Sequence, residues 1–308
     1  MLPSLLAVPG LLLLAGCLEG RAQAPPPTEG GPAAALAYER DRDGNTDVYW
    51  IDVSRGAEHR LTRHPARDIL PRWTRDGRAV VFSSERDGHW QLYRVPVEPE
   101  GAPPERLRPN EHREWQADPT PDGLGLAFLS DLAGSQALFV APWRGGEPRL
   151  LVQHGGRAQL GNPHWSRDGG RIVYSSNRGV GGHRIYLTRL SDGEERRLSP
   201  LTSGGCEPRF RPDGEAVAYV RRRHATRHRS WIVEHDLATG EERELVSWAA
   251  RNYDPVYSSD GGEIAFASTL ADDTYAIYRM RLGDGRATRV TMGPGQARHP
   301  DYRPARIP

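Results

Sequence analysis

Short hydrophobic runs separated by polar turns predict β-strands along most of the chain. Residues alternate with a period of two in 78–83 (RAVVFS) and in 263–268 (EIAFAS), as expected for strands that bury one face. An Asp-Gly pair, the strongest short signal for a β-hairpin turn, comes just before each of these runs. The local unit is therefore a strand, an Asp-Gly turn and a second strand.

This unit is repeated along the chain. Five Asp-Gly pairs occur at intervals of 45 to 47 residues, beginning at Asp76, Asp122, Asp168, Asp213 and Asp260. Each aspartate is followed six positions later by an aromatic residue: Phe82, Phe128, Tyr174, Tyr219 and Phe266. Four of the five aspartates also have an aromatic residue three positions before them: Trp73, Trp165, Phe210 and Tyr257. We expect Trp73, Trp165 and Tyr257 to pack between repeats rather than to serve as stacking platforms.

Two further short apolar runs follow each hairpin, such as Leu92-Tyr93 and Arg106-Leu107 after the first Asp-Gly pair. Four strands in about 46 residues is the size of one blade of a β-propeller. At the N-terminal end, Leu36–Tyr38 matches the second strand of a unit with no first strand before it, whereas His299–Tyr302 repeats the first strand near the C-terminus. The sequence predicts an all-β, six-bladed propeller of four-stranded blades, closed by a C-terminal strand a that joins the N-terminal blade.

The repeat resembles that of a known family. Pro163–Gly169, continuing to Tyr174–Arg178, resembles the WD-like repeat of the TolB family, and Glu39–Tyr49 resembles the link between strands b and c in the same family. The resemblance covers residues 34–304 and implies a TolB-like propeller. It selects no function, because the same repeat occurs in periplasmic scaffolds, in the propellers of prolyl-oligopeptidase-type peptidases and in some lyases.

The N-terminal residues predict export. Leu5–Leu14 is apolar and about ten residues long, the length of a signal-peptide core. It leads into Leu14–Cys17, which resembles the bacterial lipobox and implies acylation at Cys17. Leu18 in place of an aspartate implies, by the same resemblance, a periplasm-facing position at the outer membrane. The alternative is an ordinary cleaved signal followed by an unmodified cysteine.

The expected organisation is a lipoprotein signal peptide (1–16), a proline-rich tether (17–33), the propeller (34–304) and a short tail (305–308).

Charge and composition narrow the functional classes. Forty-one basic and forty acidic residues give a net charge of +1, so no global field favours nucleic acid. All the basic residues are arginines, which excludes a Schiff-base lysine and a P-loop lysine within this sequence. The two cysteines, Cys17 and Cys206, do not form a disulfide framework, and we expect Cys206 to be a buried, inert thiol.

Signals for catalysis are weak. The sequence has no Gly-x-Ser-x-Gly motif for a nucleophilic serine. Four histidines are expected in links between blades and a fifth at the start of a strand a: His64, His112, His154, His299 and His164. A channel metal site is the enzymatic alternative, but their irregular spacing favours solvated histidines, with no metal and no cofactor.

Asp41–Asp47 superficially resembles a calcium loop but lacks the distal glutamate, which favours a plain hairpin turn.

Arginines supply the candidate binding residues. A cluster between strands b and c of one blade, together with arginines of the inter-blade links, is predicted to line one face and bind a partner: Arg67, Arg113, Arg221, Arg222, Arg223, Arg227, Arg229 and Arg251. The alternative is a solvated loop that protects a strand edge. A separate set is predicted to line a ligand site in the central channel: Arg72, His164 and Arg209.

These features favour an envelope-anchored, monomeric, non-catalytic scaffold that binds an envelope protein or an anionic polymer. Two alternatives remain open: a metal-dependent lyase or hydrolase acting on an anionic polysaccharide at the channel, and a small-molecule binding module.

Overall fold

The computed structural model describes residues 35–179, 182–222 and 229–305, which form 24 β-strands. In chain order these are β1 (Ala35–Arg42), β2 (Asn45–Asp52), β3 (Ala57–Arg60), β4 (Asp68–Trp73), β5 (Ala79–Ser84), β6 (Gln91–Pro96), β7 (Glu105–Arg106), β8 (Glu114–Pro119), β9 (Gly125–Ser130), β10 (Ala137–Pro142), β11 (Arg149–Gln153), β12 (Leu160–Trp165), β13 (Arg171–Ser176), β14 (Arg184–Arg189), β15 (Glu195–Arg197), β16 (Gly204–Phe210), β17 (Ala216–Arg222), β18 (Trp231–Asp236), β19 (Glu242–Val246), β20 (Asn252–Tyr257), β21 (Glu263–Ser268), β22 (Ala276–Arg281), β23 (Ala287–Arg289) and β24 (Gln296–Tyr302).

The strands form six antiparallel four-stranded sheets, the blades of a propeller. Blade 1 has the order β24-β1-β2-β3, and blades 2 to 6 each use four consecutive strands, beginning at β4, β8, β12, β16 and β20. The six inner strands pack side by side in a closed ring, in which β24 lies between β20 and β4. The predicted fold, blade number and closing strand are confirmed.

Each Asp-Gly turn is held by its own polar side chains. Asp76 Oδ1 accepts hydrogen bonds from Thr74 Oγ1 (2.6 Å) and from the backbone N–H of Arg78 (3.0 Å). Gly77 has a φ of +64°, which a residue with a side chain rarely adopts. Because side chains within the turn satisfy its backbone, these turns are short and build one face of the ring, the turn face.

The core lies between blades. Trp73 of blade 2 is 2% exposed and packs with Ala37 and Val48 of blade 1. Trp165 and Tyr257 occupy the same position in blades 4 and 6 and pack against the preceding blade. The predicted inter-blade role of these aromatics is confirmed. Burial of such a side chain stabilises the fold by about 2 to 3 kcal/mol.

The opposite face, here called the link face, combines the loops between strands b and c with the links that enter each strand a. Backbone hydrogen bonds join the two sets of loops, as from Glu85 N to Arg67 O (3.3 Å) and from Thr269 N to Arg251 O (3.2 Å). The expectation that these loops share one face is therefore met. Within the described residues, no helix has the length and apolarity needed to cross a membrane.

Each inner strand carries a β-bulge at a residue in the left-handed region. These residues are Leu70, Gln116, Asn162, Glu207, Asp254 and His299, with φ between 51° and 58°. Five of the six precede a proline, which disfavours the helical region for the residue before it. The bulge re-aims the side chains of the inner strand and builds the lining of the central channel.

Candidate functional site

Three of the predicted partner-binding arginines occupy one structural position. Arg67, Arg113 and Arg251 each immediately precede an inner strand, so they recur around the link face. Each is held by the b–c loop of its own blade. The Arg67 guanidinium lies 5.7 Å from the centre of the Trp90 ring, the Arg113 Nε donates to Asp131 Oδ2 (2.7 Å), and the Arg251 guanidinium lies 5.3 Å from the Tyr275 ring.

The arginine cluster of blade 5 is arranged differently from the prediction. Arg221 and Arg222 belong to β17, so their assignment to a loop is wrong. Arg221 is only 14% exposed and pairs with Glu242 (3.4 Å) and Glu244 of the outer strand, because the third and fourth strands extend alongside it. Arg229 is exposed, whereas Arg223 and Arg227 lie outside the described residues.

The link face also exposes apolar side chains. Within the described part of the chain, six large hydrophobic residues are exposed, and four of them lie on link-face segments: Leu132 (37%), Leu201 (63%), Leu270 (48%) and Met292 (63%). The other two are Leu124, on an Asp-Gly turn, and Leu150, on the outer strand β11. Sequence analysis missed these four, although each stands in a predicted loop where an apolar residue has no core to fill.

The predicted channel residues Arg72, His164 and Arg209 share another repeated position, two residues after the bulge. The same position in the other inner strands carries Asp118, Val256 and Asp301. Three of the six side chains accept a hydrogen bond from a backbone N–H of the next blade: Asp118 Oδ2 from Trp165 (3.0 Å), His164 Nδ1 from Phe210 (3.2 Å) and Asp301 Oδ2 from Trp73 (2.8 Å).

These hydrogen bonds join neighbouring blades. The layer of six residues that lie two positions after the bulge, here called the channel layer, therefore has a structural role, whatever else it binds.

Burial sets the protonation of this layer. It lowers the pKa of His164 to about 3, with help from the positive charges of Arg75 and Arg72. It raises the pKa of Asp301 to about 6, partly offset by Arg72. The imidazole is therefore neutral near pH 7. The cavity beside Arg72 has a volume of only about 10 Å³, the space of a single water molecule.

A cluster of acidic residues and one histidine lies nearer the link face, at the bulge. Glu207, Asp254 and His299 come from three consecutive blades, and their ligand atoms lie within 4.8 Å of one another. Among the described residues, this is the group whose geometry can hold a metal ion. His299 Nε2 is 3.1 Å from Asp254 Oδ1, and its Nδ1 is 3.0 Å from Glu39 Oε1. Arg298 also binds both oxygens of Asp254 (3.0 and 3.1 Å).

Charge crowding shifts the pKa values of this cluster in opposite directions. Burial and the neighbouring Asp254 carboxylate raise the pKa of Glu207. The pKa of Asp254 is lowered because Arg298 and His299 outweigh its own burial. Sequence analysis missed Glu207 and Asp254. The signal was present, because both precede the proline of the repeated strand-a pattern.

The other histidine expectations are met only in part. His299 lies on β24 and not in a link, so that assignment is wrong. His154 is buried and contacts Ser176 and Glu195, while His112 is exposed near Asp131. Among the described residues, none of the other four predicted histidines joins His299 in a metal-binding group.

The expectations for the Asp41–Asp47 segment and for the two cysteines have different outcomes. The Asp41–Asp47 segment is the β1–β2 hairpin, and Asp47 pairs with Arg60. Cys206 is only partly buried, so the expected full burial is not met, but desolvation raises the pKa of its thiol, as expected for an inert cysteine. Cys17 lies outside the described residues.

Comparison with known proteins agrees with the architecture. The family model described as the TolB beta propeller domain matches residues 15–123. An uncharacterized protein of Agrobacterium fabrum is 31% identical over 149 residues, which cover 46% of this chain and 50% of that protein. The chain thus matches about half the length of this curated relative.

Solved structures show the same fold at low sequence identity. TolB from Acinetobacter baumannii has a TM-score of 0.75 and 16% identity, with 88% of this chain and 67% of that chain covered. A putative TolB from Agrobacterium tumefaciens has a TM-score of 0.67 and 18% identity, with 90% and 100% covered.

Two further neighbours are the nidogen/laminin complex (TM-score 0.69, 12% identity, 88% and 98% covered) and an oligogalacturonate lyase in complex with manganese (0.55, 17%, 84% and 73%). One fold thus accompanies quite different activities. The repeat, the architecture and the family match agree that the chain is a six-bladed β-propeller similar to the propeller domain of TolB.

Proposed function

We propose that this protein is a non-catalytic scaffold of the bacterial envelope that binds a partner protein through its link face. The observation that carries the proposal is the composition of that face. It combines four exposed apolar side chains with exposed arginines, including Arg67 and Arg113. Arginine and methionine are enriched at protein–protein interfaces, and exposed apolar surface beside charge suits a protein partner, whereas an anionic polymer needs charge without exposed apolar surface.

The contacts that hold these arginine side chains in place favour binding by a preformed surface. Arg67 and Arg251 lie against aromatic rings of the neighbouring loops, and Arg113 is paired with Asp131. Side chains held in this way lose less conformational entropy when a partner binds. Of the neighbouring folds, the nidogen/laminin structure is itself a protein complex, which is consistent with such a use of a propeller.

Anchoring is the second part of the proposal. The lipobox-like Leu14–Cys17 and the proline-rich segment that follows suit a lipid anchor and an extended tether. A periplasm-facing propeller at the outer membrane could then meet envelope proteins over a limited radius.

The test is a crosslinking pull-down with the tagged, full-length protein from its own cells. The L201S/M292S and R67E/R251E variants remove apolar and positive parts of the link face, and we expect each to lower partner recovery at least fivefold. L150S and R167E are matched controls, because Leu150 lies on an outer strand and Arg167 on the turn face. Equal recovery from link-face variants and controls would contradict the proposal. Fractionation of a C17A variant tests the anchor separately.

A second candidate is a metal-dependent lyase or hydrolase acting on an anionic polysaccharide. The Glu207, Asp254 and His299 cluster favours it, as does the likeness to a manganese-bound lyase. Asp254 is already paired with Arg298, so a metal would have to compete with that arginine. Elemental analysis of the purified protein decides between the two: about one divalent ion per chain supports the enzyme, and none supports the scaffold.

A further inference from the structure

A second potential binding site lies on the turn face, opposite the link face. The groove between blades 2 and 3 holds a cavity of about 560 Å³, within the range of ordinary ligand sites. Its lining combines Arg75 and Arg78 of one Asp-Gly turn with Leu107 and Trp143. We call it the turn-face pocket. It goes beyond the proposed function, which uses the other face.

One hydrogen bond at this groove differs from those at two other grooves. Between blades 1 and 2, Arg303 Nε donates to Gly77 O (2.7 Å), and between blades 4 and 5, Arg171 Nη2 donates to Gly214 O (3.0 Å). Each arginine thereby crosses its groove to the glycine of the next turn. Between blades 2 and 3, the equivalent Gly123 O instead accepts the Trp143 Nε1 hydrogen (2.6 Å).

At Gly123 the carbonyl oxygen is therefore occupied by Trp143 of the same blade. In the other two grooves the equivalent oxygen accepts from an arginine of the preceding blade.

Arg75, in the Asp-Gly turn of the preceding blade, borders this groove. Arg75 has its Cβ 3.6 Å from the position that a Cβ at Gly123 would take, so it lies against this turn. Its Nε is buried and has no hydrogen-bond partner among the described residues. Arg75 also lines the pocket, so the rest of its guanidinium can pair with a ligand carboxylate there.

The rest of the lining sets the charge of the ligand. Arg94 and Arg144 share one carboxylate, that of Glu105 (3.1 and 2.9 Å). Asp76 and Asp122 accept hydrogen bonds within their own turns. Four arginines thus face three carboxylates, which leaves an excess of positive charge. The same three carboxylates would repel a polymer that carries a negative charge on every unit.

Apolar surface adjoins this charge. Leu124, directly after Gly123, is 72% exposed, and its carbonyl accepts a hydrogen bond from Trp143 N (3.3 Å). This leucine is the most exposed of the large hydrophobic residues that the structure describes. A ligand that places a carboxylate at Arg75 can therefore cover Leu124 and the Trp143 ring with apolar side chains.

We propose that the turn-face pocket binds an acidic peptide segment of a partner protein, with one carboxylate at Arg75 and neighbouring apolar side chains on Trp143 and Leu124. The carboxylate pairs with the Arg75 guanidinium, which lines the pocket. The apolar neighbours distinguish such a segment from a polyuronate, which has none.

The test is fluorescence anisotropy with the purified full-length protein. The probes are fluorescein-labelled octapeptides that carry one Asp or Glu between Leu and Phe, matched peptides with Asn or Gln, and a labelled trigalacturonate. We expect the acidic peptides to bind at least tenfold more tightly than the amide peptides, since a charge-assisted hydrogen bond is lost in the latter. The R75A variant should weaken acidic-peptide binding at least tenfold, and L124S at least threefold.

R167A is the matched control, because Arg167 occupies the position of Arg75 in the turn of blade 4 and is exposed. It should bind the acidic peptides within twofold of the wild type. Thermal unfolding shows whether R75A is folded, and R75Q, which keeps a polar side chain without the charge, replaces it if not. Three results would overturn the proposal: no carboxylate-dependent binding up to about 1 mM, equal effects of R75A and R167A, or tighter binding of trigalacturonate than of any acidic peptide.

Discussion

The neutral His164 in the channel makes the free energy of unfolding depend on pH. Substitution of this one residue isolates its contribution. His164 is mostly buried but keeps some exposed surface, and its Nδ1 accepts the backbone hydrogen of Phe210. Its pKa is about 3 in the folded protein and about 6.5 in the unfolded chain. As the pH falls below 6.5, the unfolded chain takes up a proton at this site that the folded protein does not, so stability is lost until the pH reaches about 3.

The size of the effect follows from the two pKa values. One proton contributes about 1.4 kcal/mol per pH unit, so the loss is about 2 kcal/mol at pH 5 and about 4 kcal/mol at pH 3. Asp301 acts in the opposite sense. Its folded pKa of about 6 lies above its unfolded value of about 3.8, so it stabilises the fold as the pH falls between these values.

Asp301 is present both in the wild type and in a variant that lacks only His164. Its contribution therefore cancels when the free energies of unfolding of the two proteins are compared.

H164N is that variant, because asparagine offers an oxygen to the Phe210 hydrogen without titrating. We expect the free energy of unfolding of the wild type, relative to that of H164N, to fall by about 2 kcal/mol between pH 7.5 and pH 5. Urea denaturation of both proteins at four pH values measures it. A difference that stays constant within about 0.5 kcal/mol would refute a buried, neutral His164.

Three further predictions concern packing, charge and closure. W73A should lower the free energy of unfolding by about 3 to 5 kcal/mol in urea denaturation, because it empties the core between blades 1 and 2. R298A should cost about 3 kcal/mol at pH 7.5 by leaving the crowded Asp254 and Glu207 carboxylates without their arginine, and the loss should shrink in the same assay at pH 5 as carboxylates become protonated. A chain ending before residues 296–302 lacks the inner strand of blade 1, and size-exclusion chromatography should show aggregation in place of a monomer.

Much of the architecture could be read from local signals. The Asp-Gly turn, the flanking alternation and the aromatic at Trp73 all recur within one unit of about 46 residues. A unit of this kind buries its apolar faces only against its neighbours, so the repeat number implies the ring. The unmatched strand at each end of the chain then implies how the ring closes.

The candidate sites were less predictable because they depend on contacts between units. Glu207, Asp254 and His299 are each about 46 residues apart in sequence, and only ring formation brings their ligand atoms within 4.8 Å. Arg221 looked available in sequence, but strand pairing places Glu242 and Glu244 beside it. Sequence position shows which residues are equivalent, whereas it does not show which neighbour each one meets.

The sequence by itself determined the fold class, the blade number, the closing strand and the aromatic core, because these follow from short-range patterns repeated in phase. Only the tertiary structure decided which arginines are paired internally and which hydrogen bonds reach the turn glycines from across the grooves between blades. The physical reason is that strand alternation and turn type act over a few residues, while ion pairs and pockets arise between side chains that different blades bring together.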